Sequence, residues 1–181
     1  MEKYIAYIYK IFAENRNIHF STPGHEEIEL SLLRLYRHNG NNMSLKLAEY
    51  FINTRGTDAN YCDSLLDAKS CHPGDHAVYN KSHLPVREQK EAVGHSVRAM
   101  YLYTAMAMLA KETNNSELLD VCRSLFNDII QRKMYITGGV GSTAIDETFS
   151  NPFDLPNDTA YDETCAAISV MFFAVQCLKV M

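Results

Sequence analysis
The chain has 181 residues, 46% of them hydrophobic and 22% charged, with a formal net charge of −5. That suits a single globular domain able to bury a core without disulfide staples, and the acidity argues against nucleic acid, whose phosphates need a concentrated basic surface. Eight Gly and five Pro exclude collagen-like and low-complexity chains, and the longest apolar stretch, residues 165–181, is interrupted by Gln176 and Lys179 and falls short of a membrane span.

In chain order, Tyr4, Ile5, Ile8, Ile11 and Phe12 fall on one face of a first helix. Ser21-Thr22-Pro23 offers a cap and a first-turn proline, and Glu26, Glu27 and Glu29 suit a helix N-terminus, so a second helix is expected over 23–37. After the turn at 38–42, a third helix carries Leu45, Ala48, Phe51 and Ile52 inward and stops at Gly56. Residues 57–84 lack periodicity and read as a long loop. Helical patterns over 86–111 and 116–133 follow, the latter capped by Ser116. A second loop spans 134–158, and a last helix runs from about 159 onward.

These are six helices with almost no strand signal. Gly24-His25 and Gly94-His95 each open a helix that returns through an Asn-rich turn into a second one of similar texture. Repeated helical hairpins of this size suggest a solenoid or toroid, in which inner helices present their early residues to a central cleft. His25 and His95 then occupy equivalent places.

Five cysteines, an odd number without paired spacing, argue for reduced thiols and a cytoplasmic setting; no stretch resembles a signal peptide. Cys122 and Cys177 read as buried small hydrophobes. Cys71-His72 with His76 looks metal-like, yet its spacing fits no zinc pattern. Gly138-Gly139-Val140-Gly141 lacks the Lys-Ser/Thr pair and the preceding strand of a phosphate loop. Tyr79, Tyr135 and Tyr161 could stack on sugar rings, although core packing is the commoner use.

Four polar stretches stand in apolar company: Pro23-Gly24-His25-Glu26-Glu27-Ile28-Glu29-Leu30; His83-Leu84-Pro85-Val86-Arg87-Glu88-Gln89 running on to Gly94-His95-Ser96-Val97-Arg98; Met134-Tyr135-Ile136-Thr137-Gly138-Gly139-Val140-Gly141-Ser142 with Glu147 beyond; and Leu155-Pro156-Asn157-Asp158-Thr159-Ala160-Tyr161-Asp162-Glu163-Thr164-Cys165. In this order they resemble the β-L-arabinofuranosidase family, glycoside hydrolase family 127. The resemblance implies an all-α fold, helical hairpins forming part of an (α/α)6 toroid, and a carbohydrate substrate such as terminal β-L-arabinofuranose. It implies retaining hydrolysis through a cysteine nucleophile held on zinc, in place of the usual two carboxylates. It assigns Glu147 as general acid/base, His95 and His25 as substrate contacts, and Glu163 and Cys165 as two zinc ligands. The nucleophile and the adjacent cysteine ligand of the family lie beyond the region matched here. The chain is therefore expected to be part of the catalytic toroid and inactive alone.

Without the resemblance, His95 reads as a core histidine, His25 as a capping or packing residue, Glu147 as a surface carboxylate and Cys165 as a buried thiol. One geometric condition is independent of it. Residues i and i+2 diverge on a helix but share a side of an extended segment. For Glu163 and Cys165 to share a metal, the chain must be extended there or in an irregular first turn. Two other readings stand beside the hydrolase. In one, the apolar helix over 166–181 makes the chain a non-enzymatic module that self-associates as a homodimer. In the other, His25 and His95 are the acid and base of an epimerase-like toroid, which leaves Glu-Thr-Cys without a purpose.

Overall fold
Periodicity at 3.6 residues becomes helix wherever a cap or glycine frames it. The computed structural model describes residues 1–15, 22–57 and 76–179. Its α-helices are α1 (Glu2–Tyr9), α2 (Glu27–Asn39), α3 (Asn42–Thr54), α4 (His76–Tyr79), α5 (Ser96–Glu112), α6 (Ser116–Asp128) and α7 (Thr164–Leu178). No strand occurs among the described residues; three isolated bridges, His95 with Thr148, Thr143 with Thr148 and Met134 with Val140, pin the loops instead.

The turns explain the hairpins. Gly40 adopts φ +69° to end α2, and the Asn41 side chain accepts from the backbone N–H groups of Met43 and Ser44 to start α3. Asn115 caps α6 in the same way, accepting from Leu118 N–H, so the cap is Asn115 and not Ser116. Helix α6 continues as a π-helical turn over Ile129–Lys133, and α1 as one over Lys10–Asn15. The α1 face of Ile5 and Ile8 is buried, and the Phe12 ring meets Phe51 edge-on at 5.0 Å.

Helix α5 is the centre of the packing. It touches α2, α3, α6 and α7, and nearly every residue from Ser96 to Ala110 is buried. Such a helix has no polar stripe because it has neighbours on all sides. The last helix is different. Ala166, Ser169, Val170, Phe173 and Cys177 face inward, whereas Ile168, Met171, Phe172, Val175 and Leu178 form an exposed apolar stripe. No helix among the described residues is long and apolar enough to cross a membrane.

Three boundaries differ from expectation. Helix α2 starts at Glu27, four residues after Pro23. The run over 86–111 is not one helix: Val86–Glu88 is a single 3-10 turn and α5 begins only at Ser96. Gly94 interrupts it with φ +73°, and a Cβ there would lie 2.2 Å from the Val78 carbonyl oxygen. Helix α7 begins at Thr164, because Asp162 sits at φ +45° and Glu163 is extended. Within the expected 57–84 loop, α4 forms at its end; Cys62, Cys71 and His72 lie outside the described residues.

Candidate active site
The inner helices α2, α5 and α7 lie side by side and run in the same direction. At their C-terminal ends Arg37 of α2 donates to Glu112 of α5 at 2.7 Å and to Gln176 of α7 at 3.2 Å. Their N-termini therefore meet at the opposite end. There His25 precedes α2, His95 occupies the N-cap of α5, Glu163 the N-cap of α7, and Cys165 its first turn.

His95 Nδ1 accepts from the backbone N–H of Arg98 at 3.5 Å, which leaves the ring proton on Nε2. Nε2 then faces Glu147 Oε2 at 2.9 Å as a donor. Burial lowers the His95 pKa, the Lys81 and Arg98 charges add to this, and Glu147 and Glu26 oppose it; the neutral ring is favoured.

Glu147 ends the short turn Ile145–Glu147. Both Asp146 (φ +56°) and Glu147 (φ +55°) are left-handed, a conformation that costs a side-chain-bearing residue about 1–3 kcal/mol. The loop is over-determined by its ties. Ser96 Oγ donates to the Glu147 carbonyl at 3.1 Å, Phe149 N–H to Gly94 O at 3.0 Å, and Thr143 N–H to Thr148 O at 3.3 Å. Gly141 permits the approach, since a Cβ there would lie 2.6 Å from Ser96 Oγ. From the same strip, Gly141 O and Ser142 O accept from Asp162 and Tyr161 N–H, joining this loop to the start of α7.

Tyr161 closes the constellation. Its hydroxyl donates to Glu147 Oε1 at 2.9 Å and lies 3.3 Å from Glu163 Oε1. The hydrogen bond to Glu147 leads the causes that push its pKa up to about 12, so it stays a donor. Cys165 lies beside the Glu163 carboxylate, and burial followed by that negative charge raises its thiol pKa. His95, Glu147, Tyr161, Glu163 and Cys165 thus form one continuous polar string. His25 stands apart from it, its ring 6.3 Å from that of Tyr101. Tyr101 in turn lies near both Glu27 and Cys165, whose charges raise its pKa after burial.

Glu163 is extended and the helix starts directly after it, and the Cys165 thiol is within hydrogen-bonding reach of the Glu163 carboxylate. Glu163 Oε2 is buried without a hydrogen-bond partner, an atom suited to a cation. No group of three or more His, Cys, Asp or Glu side chains among the described residues is arranged around a metal position. Cys122 and Cys177 are buried in the packing of α6 and α7, as expected for small hydrophobes.

Beneath the string lies a charge cluster that the sequence reading did not find. Glu26, Glu29, Arg55 and Lys81 are fully buried. Lys81 Nζ contacts Glu26 Oε1 at 2.7 Å, Arg55 contacts Glu29 Oε1 at 3.0 Å and Glu26 Oε1 at 3.6 Å, and Arg98 Nε lies 3.3 Å from Glu26 Oε2. Burial alone would raise the Glu26 pKa, but Lys81, Arg55 and Arg98 outweigh it and hold the carboxyl below its ordinary value. Burial raises Glu29, which Arg55 only partly offsets. Burial also brings Lys81 down to about 8 despite Glu26. Of the tyrosines considered for sugar stacking, Tyr135 is buried and donates to Pro156 O, and Tyr79 lies between His95 and Arg98.

A family model described as β-L-arabinofuranosidase, GH127 catalytic domain, matches residues 1–180. The chain is 38% identical over 174 residues to the non-reducing end β-L-arabinofuranosidase of Bifidobacterium longum, covering 91% of this chain and 26% of that protein. Among solved structures, a GH127 β-L-arabinofuranosidase from Geobacillus stearothermophilus superposes with a TM-score of 0.90 at 45% identity, covering 98% of this chain and 29% of that one. A second GH127 β-arabinofuranosidase gives 0.82 at 34% identity, covering 97% and 25%. The chain thus spans between a quarter and a third of the length of these relatives, and its hairpins are part of an (α/α)6 toroid.

Proposed function
Because the chain belongs to the β-L-arabinofuranosidase family, glycoside hydrolase family 127, we propose that it supplies the acid/base and sugar-binding part of a retaining β-L-arabinofuranosidase. The polar string from His95 to Cys165 carries this reading. In it Glu147 donates a proton to the leaving glycosidic oxygen and, as a carboxylate, then draws one from water. His95 Nε2–H and Tyr161 O–H each hold one oxygen of the resulting carboxylate. The ties through Ser96, Gly94 and Thr143 fix the strained loop so that the carboxylate meets substrate without reorganising. His25, whose Nδ1 accepts from Glu27 N–H, turns its Nε2 to a sugar hydroxyl, whereas both ring nitrogens of His95 are engaged and that residue acts on the substrate through Glu147.

Glu163 and Cys165 fit half of a zinc site: a carboxylate from the extended N-cap residue and a sulfur from the first helical turn lie beside one another, with one carboxylate oxygen unsatisfied. Zinc in a thiolate-rich site takes four ligands, so the others must come from outside the described residues. When bound, the metal supplies a thiolate activated at neutral pH. The family resemblance puts the nucleophilic cysteine beyond the region matched here, and the chain spans 26% of the Bifidobacterium relative, so no turnover is expected from the 181-residue chain by itself.

The test is a chimera in which this chain replaces the matching segment of the Bifidobacterium enzyme, assayed on an aryl β-L-arabinofuranoside. The expected result is turnover by the chimera, none by the chain alone, and a loss of about 10²–10⁴-fold in Glu147→Gln. Full turnover by a folded Glu147→Gln chimera contradicts the assignment.

A further inference from the structure
Arg98 touches both histidine segments. Its Nη2 donates to Gly24 O at 2.6 Å, the carbonyl immediately before His25. Its backbone N–H is the group that His95 caps. Its guanidinium lies over the Tyr79 ring at 5.2 Å, and that ring meets the His95 imidazole edge-on at 5.7 Å. Its Nε lies 3.3 Å from the buried Glu26 carboxylate, whose own position is fixed by Lys81 and Arg55.

We infer that Arg98 is a positioning residue that locks the segment carrying His25 to the N-cap formed by His95, so that the two histidines hold a fixed spacing across the cleft. A guanidinium suits this task because its planar fork keeps several donors in fixed directions while its face stacks on an aromatic ring. The Glu26 carboxylate adds a charge contact at Nε rather than a hydrogen bond, and the bond to the Gly24 carbonyl is made by Nη2. That the spacing serves a sugar rests on the function proposed above; the coupling of the two histidines does not.

The charges facing each ring supply the readout. His25 faces Arg98 and Lys81 as cations and Glu26 and Glu27 as anions. His95 faces Lys81 and Arg98 as cations and Glu147 and Glu26 as anions. Imidazole titrations by NMR on the 181-residue chain compare wild type, Arg98→Met and Arg98→Lys. In Arg98→Met both midpoints are expected to rise toward 6.5. In Arg98→Lys, which keeps the charge and loses the fork, the His25 midpoint moves and that of His95 stays low. A folded Arg98→Met with neither midpoint moved overturns the proposal. If that variant does not fold, Arg98→Lys decides: an unchanged His25 overturns the lock, and a shifted one supports it. Neither result depends on hydrolysis, so failure of the lock and failure of the hydrolase reading are distinguishable.

Discussion
The same three helices end very differently at their two ends. At the C-terminal end one arginine, Arg37, joins α2, α5 and α7 through partly exposed contacts to Glu112 and Gln176. At the N-terminal end the joints are a fully buried charge cluster, two consecutive left-handed residues and a string of hydrogen-bonded acids. Both ends hold the helices in parallel. The first does so cheaply, the second with desolvated charge and strained backbone, which is the pattern of a site whose geometry matters more than its stability.

The largest stability effect separating the ends is expected from Glu26→Ala, which leaves Lys81 buried without its 2.7 Å partner. A loss of about 3–5 kcal/mol in urea unfolding is predicted; a loss below about 1 kcal/mol would show the cluster to be solvated. Acid should act at the same point. The Glu26 pKa is lowered on folding, so its stabilisation is complete above its unfolded value near 4.5 and is lost as pH falls through the folded value. Glu29, raised on folding, works in the opposite sense. Thermal melts from pH 6 to pH 3 should therefore fall more steeply for wild type than for Glu26→Gln.

Tyr161→Phe removes a hydrogen bond to a carboxylate and no bulk. Loss of the hydrogen bond that Glu147 Oε1 accepts should lower kcat roughly ten- to hundredfold with KM little changed in the chimera. An equal change in KM alone would place Tyr161 in binding. The smallest effect belongs to the other end: Arg37→Ala should cost about 0.2–1 kcal/mol in the same urea experiment.

What could be read from the sequence follows the same division. Hairpins, the later ends of most helices and the place of His95 early in its helical pattern were legible, because periodicity, caps and glycines are local signals; Glu147 and Glu163 stood out only through the family resemblance. The charge cluster was not. Glu26 and Glu29 look like ordinary first-turn acids, and Lys81 sits in a segment without pattern, so their meeting depends on contacts between distant parts of the chain. The start of α5 was misread for a related reason: residues 86–95 continue an apolar rhythm, and only the close approach of Gly94 to the Val78 and Tyr79 carbonyls forbids a helix there. Tyr161 was noted as an aromatic, whereas its hydroxyl is what joins Glu147 to Glu163.

The most direct measurement is an NMR titration of the 181-residue chain with methyl β-L-arabinofuranoside. Resonances of His25, His95, Tyr161 and the Glu147 loop should shift together and saturate, while Arg37, Glu112 and Gln176 stay still. Shifts confined to the Arg37 end, or none at millimolar sugar in a folded chain, would contradict a sugar site at the N-termini of the inner helices.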